Sequence, residues 1–298
     1  MPPASLTSEQ RVTLIQKYID RMPSLSTTVT KVLEICNKPN TSANDLNRVI
    51  SLDPVLTGQV LKLINSAYYS LPNQISSLTR AIIMLGINTV KNLALSTAVL
   101  GTMGGEESFQ SLKMDEFWAH SIGVGVTAKI LAVRKGIPVA LHEEFFVAGL
   151  LHDLGKIPLN NCFAAEYHQT LDLAALEQGP LVRAEELMLG LDHGQVGKMI
   201  AEKWQLSHAL RELLCYHHAP ERATEKYRAL IGVVALANSY VNLFDVGSAG
   251  DRYPDISWLP DHLAQLGMVW GDIVALHETV QGEIRKAQVF LEVARRAA

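Results

Sequence analysis

The strongest constraint on this chain is a long succession of capped, interrupted helical segments with almost no strand signal between them. Thr7 and Gln10 are spaced as a capping box ahead of an amphipathic stretch, Val12 to Ile19. Pro23 interrupts, and Leu25 to Ile35 predicts a second helix that ends before Pro39. Thr41 or Ser42 can cap a third, running to Ile50. Asp53-Pro54 starts a fourth: the carboxylate accepts free amides, and proline at the first helical position lacks an N–H that would have no partner anyway. Leu56, Val60, Ile64 and Ala67 line one face of it, and Leu78 to Leu85 and Thr89 to Leu100 follow on either side of Gly86. Alternating β-branched runs bounded by turn residues are nearly absent, so the chain is expected to be all-α.

Composition narrows the class. Of 298 residues, 48% are hydrophobic and 19% charged, which suits one large or two modest globular domains. A net charge of -4 and the lack of a basic stripe give no footprint for nucleic acid. Asp53 to Leu71 and Leu78 to Leu100 form helix–turn–helix-like pairs, but Lys62, Arg80 and Lys91 are scattered along them, so plain helix packing is expected. Three distant cysteines, Cys36, Cys162 and Cys215, suit a reducing compartment. Met1 to Ser5 lacks the pattern of a signal peptide, and no apolar run approaches the roughly 20 residues that span a bilayer. A cytoplasmic protein with no membrane association is therefore expected. The Gly-rich patch from Gly101 to Glu107 marks a soft boundary. It divides the chain into an N-terminal helical lobe, 1–106, and a second lobe, 107–298, with helices expected near 115–135, 142–155, 180–188, 193–204, 208–217, 227–245 and 270–296.

Chemistry concentrates in the second lobe. All ten histidines lie at or beyond residue 120. The sharpest local signal is Leu150-Leu151-His152-Asp153-Leu154-Gly155-Lys156. Adjacent residues on a helix project about 100° apart, so an imidazole nitrogen and a carboxylate oxygen can face one ion in a cleft. Gly155 is expected to end that helix in left-handed geometry, and Lys156 to present a point cation to a phosphate. Taken singly, such a pair is more often a solvated helix end. Three further pieces join it: Glu116 and His120, four apart on one face; Asp192-His193-Gly194, an N-cap followed by a histidine in the first turn; and Cys215-Tyr216-His217-His218, two imidazoles at a helix terminus before Pro220. Each alone is weak, yet together they supply a first shell for one or two ions of the Fe, Mn, Co, Ni or Zn kind. His142, His168 and His208 are expected at the surface.

The order Glu116-xxx-His120, His152-Asp153, His193, His217-His218 resembles the HD superfamily of metal-dependent phosphohydrolases, in the extended two-metal form also seen in HD-GYP phosphodiesterases. The first half is similar to a narrower branch, the HDOD signalling family, at Met22-Pro23-Ser24-Leu25-Ser26, Ser51-Leu52-Asp53-Pro54-Val55-Leu56, Val60 to Ala67 and Ala81 to Gly86. That likeness runs from about residue 20 to about 245. It implies a two-lobed all-α fold, a role in bacterial signal transduction, and many members that have lost their metal ligands and act as regulatory modules.

By that resemblance Glu116, His120, His152, Asp153, His193, His217 and His218 match ligand positions, with Asp153 the carboxylate that bridges two metals and Lys156 the phosphate-facing lysine. The final expected aspartate is replaced by Asn238, a neutral and weaker oxygen ligand. After His218 the chain reads Ala219-Pro220-Glu221-Arg222-Ala223, without the GYP run, which argues against cyclic di-GMP hydrolysis. Three functions follow from these residues. The first is a regulatory module that engages other signalling proteins and retains a one- or two-metal site, iron foremost. The second is an active metal-dependent phosphohydrolase with Asp153 and Lys156 as catalytic groups, acting on a nucleotide or other phosphoester. The third is a di-iron redox or oxygenase site, which the amide at 238 weakens equally.

Overall fold

A computed structural model describes residues 6–103 and 111–295, and among these every regular element is helical. Local chemistry sets the N-terminal helices. Thr7 and Gln10 close the capping box of α1 (Ser8–Arg21), Ser26 caps α2 (Thr27–Cys36), and Ser42 with Asp45 caps α3 (Ala43–Ile50). The Asp53 carboxylate accepts the Leu56 amide at the start of α4 (Pro54–Ile64). That helix stops three residues short of Ala67, because the Asn65 side chain bonds Leu61 and then holds both backbone groups of Ile75. α5 (Leu78–Leu85) and α6 (Ile87–Met103) meet at an angle of 117°, and among the described residues no single helix is long and apolar enough to cross a membrane.

The second half is organised around α7 (Met114–Arg134), which is buried on nearly all sides. α8 (His142–Leu151) packs on it so closely that a Cβ on Gly149 would lie 2.6 Å from the Gly125 amide nitrogen. There follow α9 (Lys156–Cys162), α10 (Ala164–Glu177), α11 (Leu181–Leu189), α12 (His193–Lys203), α13 (His208–Tyr216) and α14 (Glu225–Leu243). The last four are α15 (Leu259–Gln265), α16 (Trp270–Val274), α17 (His277–Ala287) and α18 (Val289–Arg295).

Two parts of the expected organisation change. The helix expected over 142–155 breaks after Leu151, and the one expected over 270–296 is three short helices. The expected lobe boundary at 106/107 lies outside the described residues. On either side of it the chain shares one hydrophobic core, because the ends cross over. α1 packs on α9 and α12, with the Asn161 amide donating to Tyr18 Oη at 2.8 Å and Trp204 Nε1 to the Pro23 carbonyl at 3.1 Å. In the other direction α18 packs on α4 and α6, where the rings of Phe290, Tyr68 and Phe146 pack against one another.

Candidate metal centre

The break after Leu151 is what builds the site. His152 caps the C-terminus of α8, and the turn to Gly155 points His152 and Asp153 toward α7, α12 and α13. Gly155 is not in the left-handed conformation expected of it: its φ is -64° and it starts α9 rather than merely ending α8. Glycine is required there by proximity, since a Cβ would lie 1.8 Å from the His193 carbonyl oxygen. On α12 the Asp192 carboxylate accepts the Gln195 amide and sets His193 in the first turn, as expected.

Six of the candidate ligands converge, and Asp153 is shared between two groups whose ligand atoms all lie within 4.8 Å of one another. Its Oδ2 faces His152 Nε2 at 3.2 Å and His120 Nε2 at 3.7 Å. Its Oδ1 faces His193 Nε2 at 3.3 Å and His217 Nε2 at 3.6 Å, and His218 Nε2 is 2.9 Å from His193 Nε2. His120, His152, Asp153 and His193 are fully buried, and His218 is half-buried.

Three of the ring nitrogens facing away from this carboxylate, on His152, His193 and His217, have partners that fix the tautomer. His152 Nδ1 lies 2.7 Å from the Gly149 carbonyl, which can only accept, so that nitrogen carries the proton. His217 Nδ1 faces the Leu213 and Leu214 carbonyls, and His193 Nδ1 faces Glu185 Oε2 at 2.5 Å. In the neutral rings each Nε2 is then a bare lone pair directed at a carboxylate oxygen or at another lone pair. His120 Nδ1 and Nε2, His152 Nε2 and Asp153 Oδ1 are buried without a hydrogen-bond partner among the described residues. Buried polar atoms rarely stay unsatisfied, and one cation on each side of Asp153 satisfies all of these except His120 Nδ1. The residues therefore fit a metal.

Electrostatics favour the neutral ring at three of the histidines and the ionised carboxylate at Asp153. Burial lowers the pKa of His120 to about 3 and of His217 to about 4, and pushes His218 well below its ordinary value. Burial opposes charge on Asp153, but His152 and Lys156 hold its carboxyl well below the usual carboxylate range. His193 goes the other way: Glu185 overcomes its burial and raises its pKa, which favours the protonated ring in the absence of metal.

Two sequence expectations change. Glu116 is exposed and joins neither group; only its backbone carbonyl contributes, accepting from Ser248 at 3.0 Å. Lys156 is 1% exposed and pairs with Asp153 Oδ2 at 2.8 Å instead of facing a cleft. Asn238 is buried beside His120, near enough to favour its protonated form but outside hydrogen-bond geometry, and it accepts from Asn242. His168 and His208 are exposed as expected, whereas His142 is half-buried and reaches the Ile137 carbonyl.

Glu185 escaped the sequence reading. It is fully buried on α11, takes both the backbone amide and Nδ1 of His193 on one oxygen, and accepts from Tyr167 Oη on the other at 2.8 Å. Its signal was available: it lies four residues from both Leu181 and Leu189, a carboxylate on an apolar helix face.

A cleft of about 750 Å³ is lined by His217, His218 and Asn238 of this centre together with Arg183, Glu186 and residues 253–258.

Fold and site together define an all-helical protein of HD-related, phosphohydrolase-like fold with a buried polyhistidine–carboxylate cluster that could hold metal. The chain matches the HDOD domain over residues 22–220 and belongs to that family. It is similar to the crystal structure of an HDOD domain protein of unknown function from Geobacter sulfurreducens, at 27% identity and a TM-score of 0.76, covering 95% of this chain and 99% of that one. A presumed phosphohydrolase from Shewanella amazonensis SB2B shares the fold at 24% identity and a TM-score of 0.68, covering 96% of this chain and 98% of that one. A presumed signal transduction protein from Marinobacter aquaeolei VT8 does so at 19% and 0.70, covering 97% and 66%. An uncharacterised curated relative from Treponema pallidum (strain Nichols) is 25% identical over 242 residues. That match covers 80% of this chain, which spans just under half (46%) of the relative's length.

Proposed function

We propose that this chain is a signal-transduction HDOD module that keeps a one- or two-metal centre and works by binding other signalling proteins rather than by turnover. The observation that carries this reading is the burial of the two groups phosphoryl chemistry would need: Asp153 and Lys156 are 0% and 1% exposed and are locked to each other. A phosphoester in the cleft meets His217, His218 and Asn238, not the lysine. His193, His217, His218 and Asp153 Oδ1 would hold one ion, and His120, His152 and Asp153 Oδ2 a second. This donor set of imidazoles and one carboxylate suits iron, manganese, cobalt, nickel or zinc. When bound, such an ion supplies Lewis acidity and a more acidic coordinated water. In the N-terminal half, Leu52, Val55 and Ile83 each leave 67–77% of their surface to solvent, apolar side chains available to a partner protein.

The second reading, a metal-dependent phosphohydrolase, is favoured by the cleft itself, which is large enough for a nucleotide and ends on two ligand histidines. One experiment separates them: metal-loaded protein is offered a panel of nucleotides and simple phosphoesters, and partner capture is compared between Leu52→Asp and His152→Ala. The regulatory reading expects no phosphate release above free metal and a loss of capture only in Leu52→Asp. Release that disappears in His152→Ala overturns it in favour of the enzyme.

A further inference from the structure

One pair of helices joins the candidate ligands to the N-terminal half. α7 and α8 run antiparallel and touch at successive levels in register. At one end the His120 and His152 ring centres are 5.5 Å apart. Midway Gly125 and Gly149 meet backbone to backbone, so that a Cβ on Gly125 would lie 2.6 Å from the Phe146 carbonyl oxygen. At the far end Lys129 pairs with Glu143, which is 4% exposed. Lys129 and Glu143 are each nine positions, about 14 Å of helix, from the histidine that their own helix delivers.

That far end is fastened to the N-terminal half. The Lys129 ammonium also donates to Tyr68 Oη at 3.2 Å and stands 4.4 Å and 5.3 Å from the ring centres of Tyr68 and Tyr69. Both tyrosines lie in the turn after α4, where the Asn65, Ser66 and Tyr69 amides donate to the Leu61, Leu63 and Ser66 carbonyls. The fastening is incompletely satisfied. Glu143 Oε2 and Tyr69 Oη, on two side chains that face the same ammonium, are buried with no hydrogen-bond partner among the described residues. Burial first, and the Glu143 carboxylate second, raise the Tyr69 pKa well above its ordinary value, so its hydroxyl keeps the proton and stays a donor. Buried donors and acceptors rarely stay unpaired, so the joint has a second arrangement within reach, with the Tyr69 hydroxyl donating to Glu143.

We propose that α7 and α8 carry the state of the metal centre to the N-terminal half, with the Lys129 ammonium as the coupling group at the Tyr68–Tyr69 turn. The inference rests on the metal reading above. An ion held by both His120 and His152 fixes the spacing of α7 and α8 at one end. The glycine contact leaves no slack in the middle, because close-packed backbone cannot deform continuously. The change therefore appears at Lys129 and Glu143, and through them at the turn. α4, which ends at this turn, carries the exposed Val55 at its start, so the joint links the metal centre to the side chains offered to a partner.

The test is amide hydrogen exchange of the chelator-stripped full chain with and without saturating Mn(II), read by mass spectrometry. In wild type the ion should slow exchange near its ligands, over residues 118–124 and 149–154. It should also slow the turn at residues 65–70 by at least about fivefold, the lower end of ordinary coupling between sites. Tyr68→Phe keeps the ring and loses the hydroxyl that Lys129 reaches; Lys129→Met keeps the stem and loses the charge. Both should lose the slowing at 65–70 and retain it near the ligands. Lys129→Met leaves Glu143 buried without its partner, so Tyr68→Phe, the milder change, carries the test on its own. A merely structural joint would speed exchange at 65–70 in the variants by the same factor with and without the ion, and that result overturns the inference. So does a wild-type turn that ignores Mn(II) while the ligand segments respond. Wild type in which no segment responds overturns the metal reading, and this inference with it.

Discussion

Glu185 and His193 are joined twice through a single oxygen: Oε2 accepts the His193 backbone amide at 2.9 Å and meets its ring Nδ1 at 2.5 Å. The pair fixes both the start of α12 and the ring tautomer, which leaves Nε2 free to face Asp153. A carboxylate behind a histidine ligand orients the ring and raises its basicity. Glu185→Gln should therefore weaken metal binding by about 10–100-fold without dispersing the ligands. Competition against a chelator of known affinity measures this, and an unchanged affinity would show Glu185 to be a structural residue only.

Asp153 and Lys156 form a buried ion pair among the histidines of the site. Removing one partner leaves the other charge uncompensated, which costs about 3–5 kcal/mol. Metal-free Asp153→Asn should lose that much stability in urea unfolding, and added metal should not restore it. Recovery on adding metal would mean that Asp153 is dispensable as a ligand.

Gly155 separates two kinds of glycine in this chain. In Gly155→Ala the new Cβ would meet the backbone of His193, which cannot yield as a side chain can. The expected cost is about 3 kcal/mol, together with loss of metal affinity as α12 is pushed away. Gly58, inside α4, has open space around its Cβ position, so Gly58→Ala should stabilise by about 0.5–1 kcal/mol. Equal effects at the two positions would contradict the close approach of α9 and α12.

Acid should destabilise the metal-stripped protein before its carboxylates titrate. His120, His217 and His218 have pKa values lowered by burial, so between about pH 6.5 and 4 the unfolded chain binds protons that the folded chain does not. Their stabilisation is present above the unfolded value and is lost as pH falls. His193, whose pKa is raised by Glu185 against its burial, acts in the opposite sense: its stabilisation is complete below about pH 6.5 and fades as pH rises. Stability should therefore peak near pH 6.5–7 and fall steeply toward pH 4.5. Unfolding free energies that rise steadily down to pH 4.5 would contradict this balance.

The all-helical fold was legible because its signals are local. Thr7, Ser42 and Asp53 announce helix starts within three residues of themselves, and each does cap the helix it precedes. The crossing of α1 and α18 between halves was not legible, since it depends on packing partners more than a hundred residues away. Within the site, the neighbours His152 and Asp153 and the pair His217 and His218 stood out by adjacency. Glu116 misled because four-residue spacing fixes a shared helix face but not the depth to which that face is buried: His120 lies in the core and Glu116, one turn earlier, in solvent. Lys156 misled for a related reason, because the motif supplies a cation but not its direction.

The central claim is that His120, His152, Asp153, His193, His217 and His218 grip transition-metal ions. Elemental analysis of the purified chain beside Asp153→Asn tests it most directly. One or two iron, manganese, cobalt, nickel or zinc ions per wild-type chain, absent from the variant, is the expected result. A wild type that is metal-free as purified and takes up none of these ions when they are supplied would contradict the account.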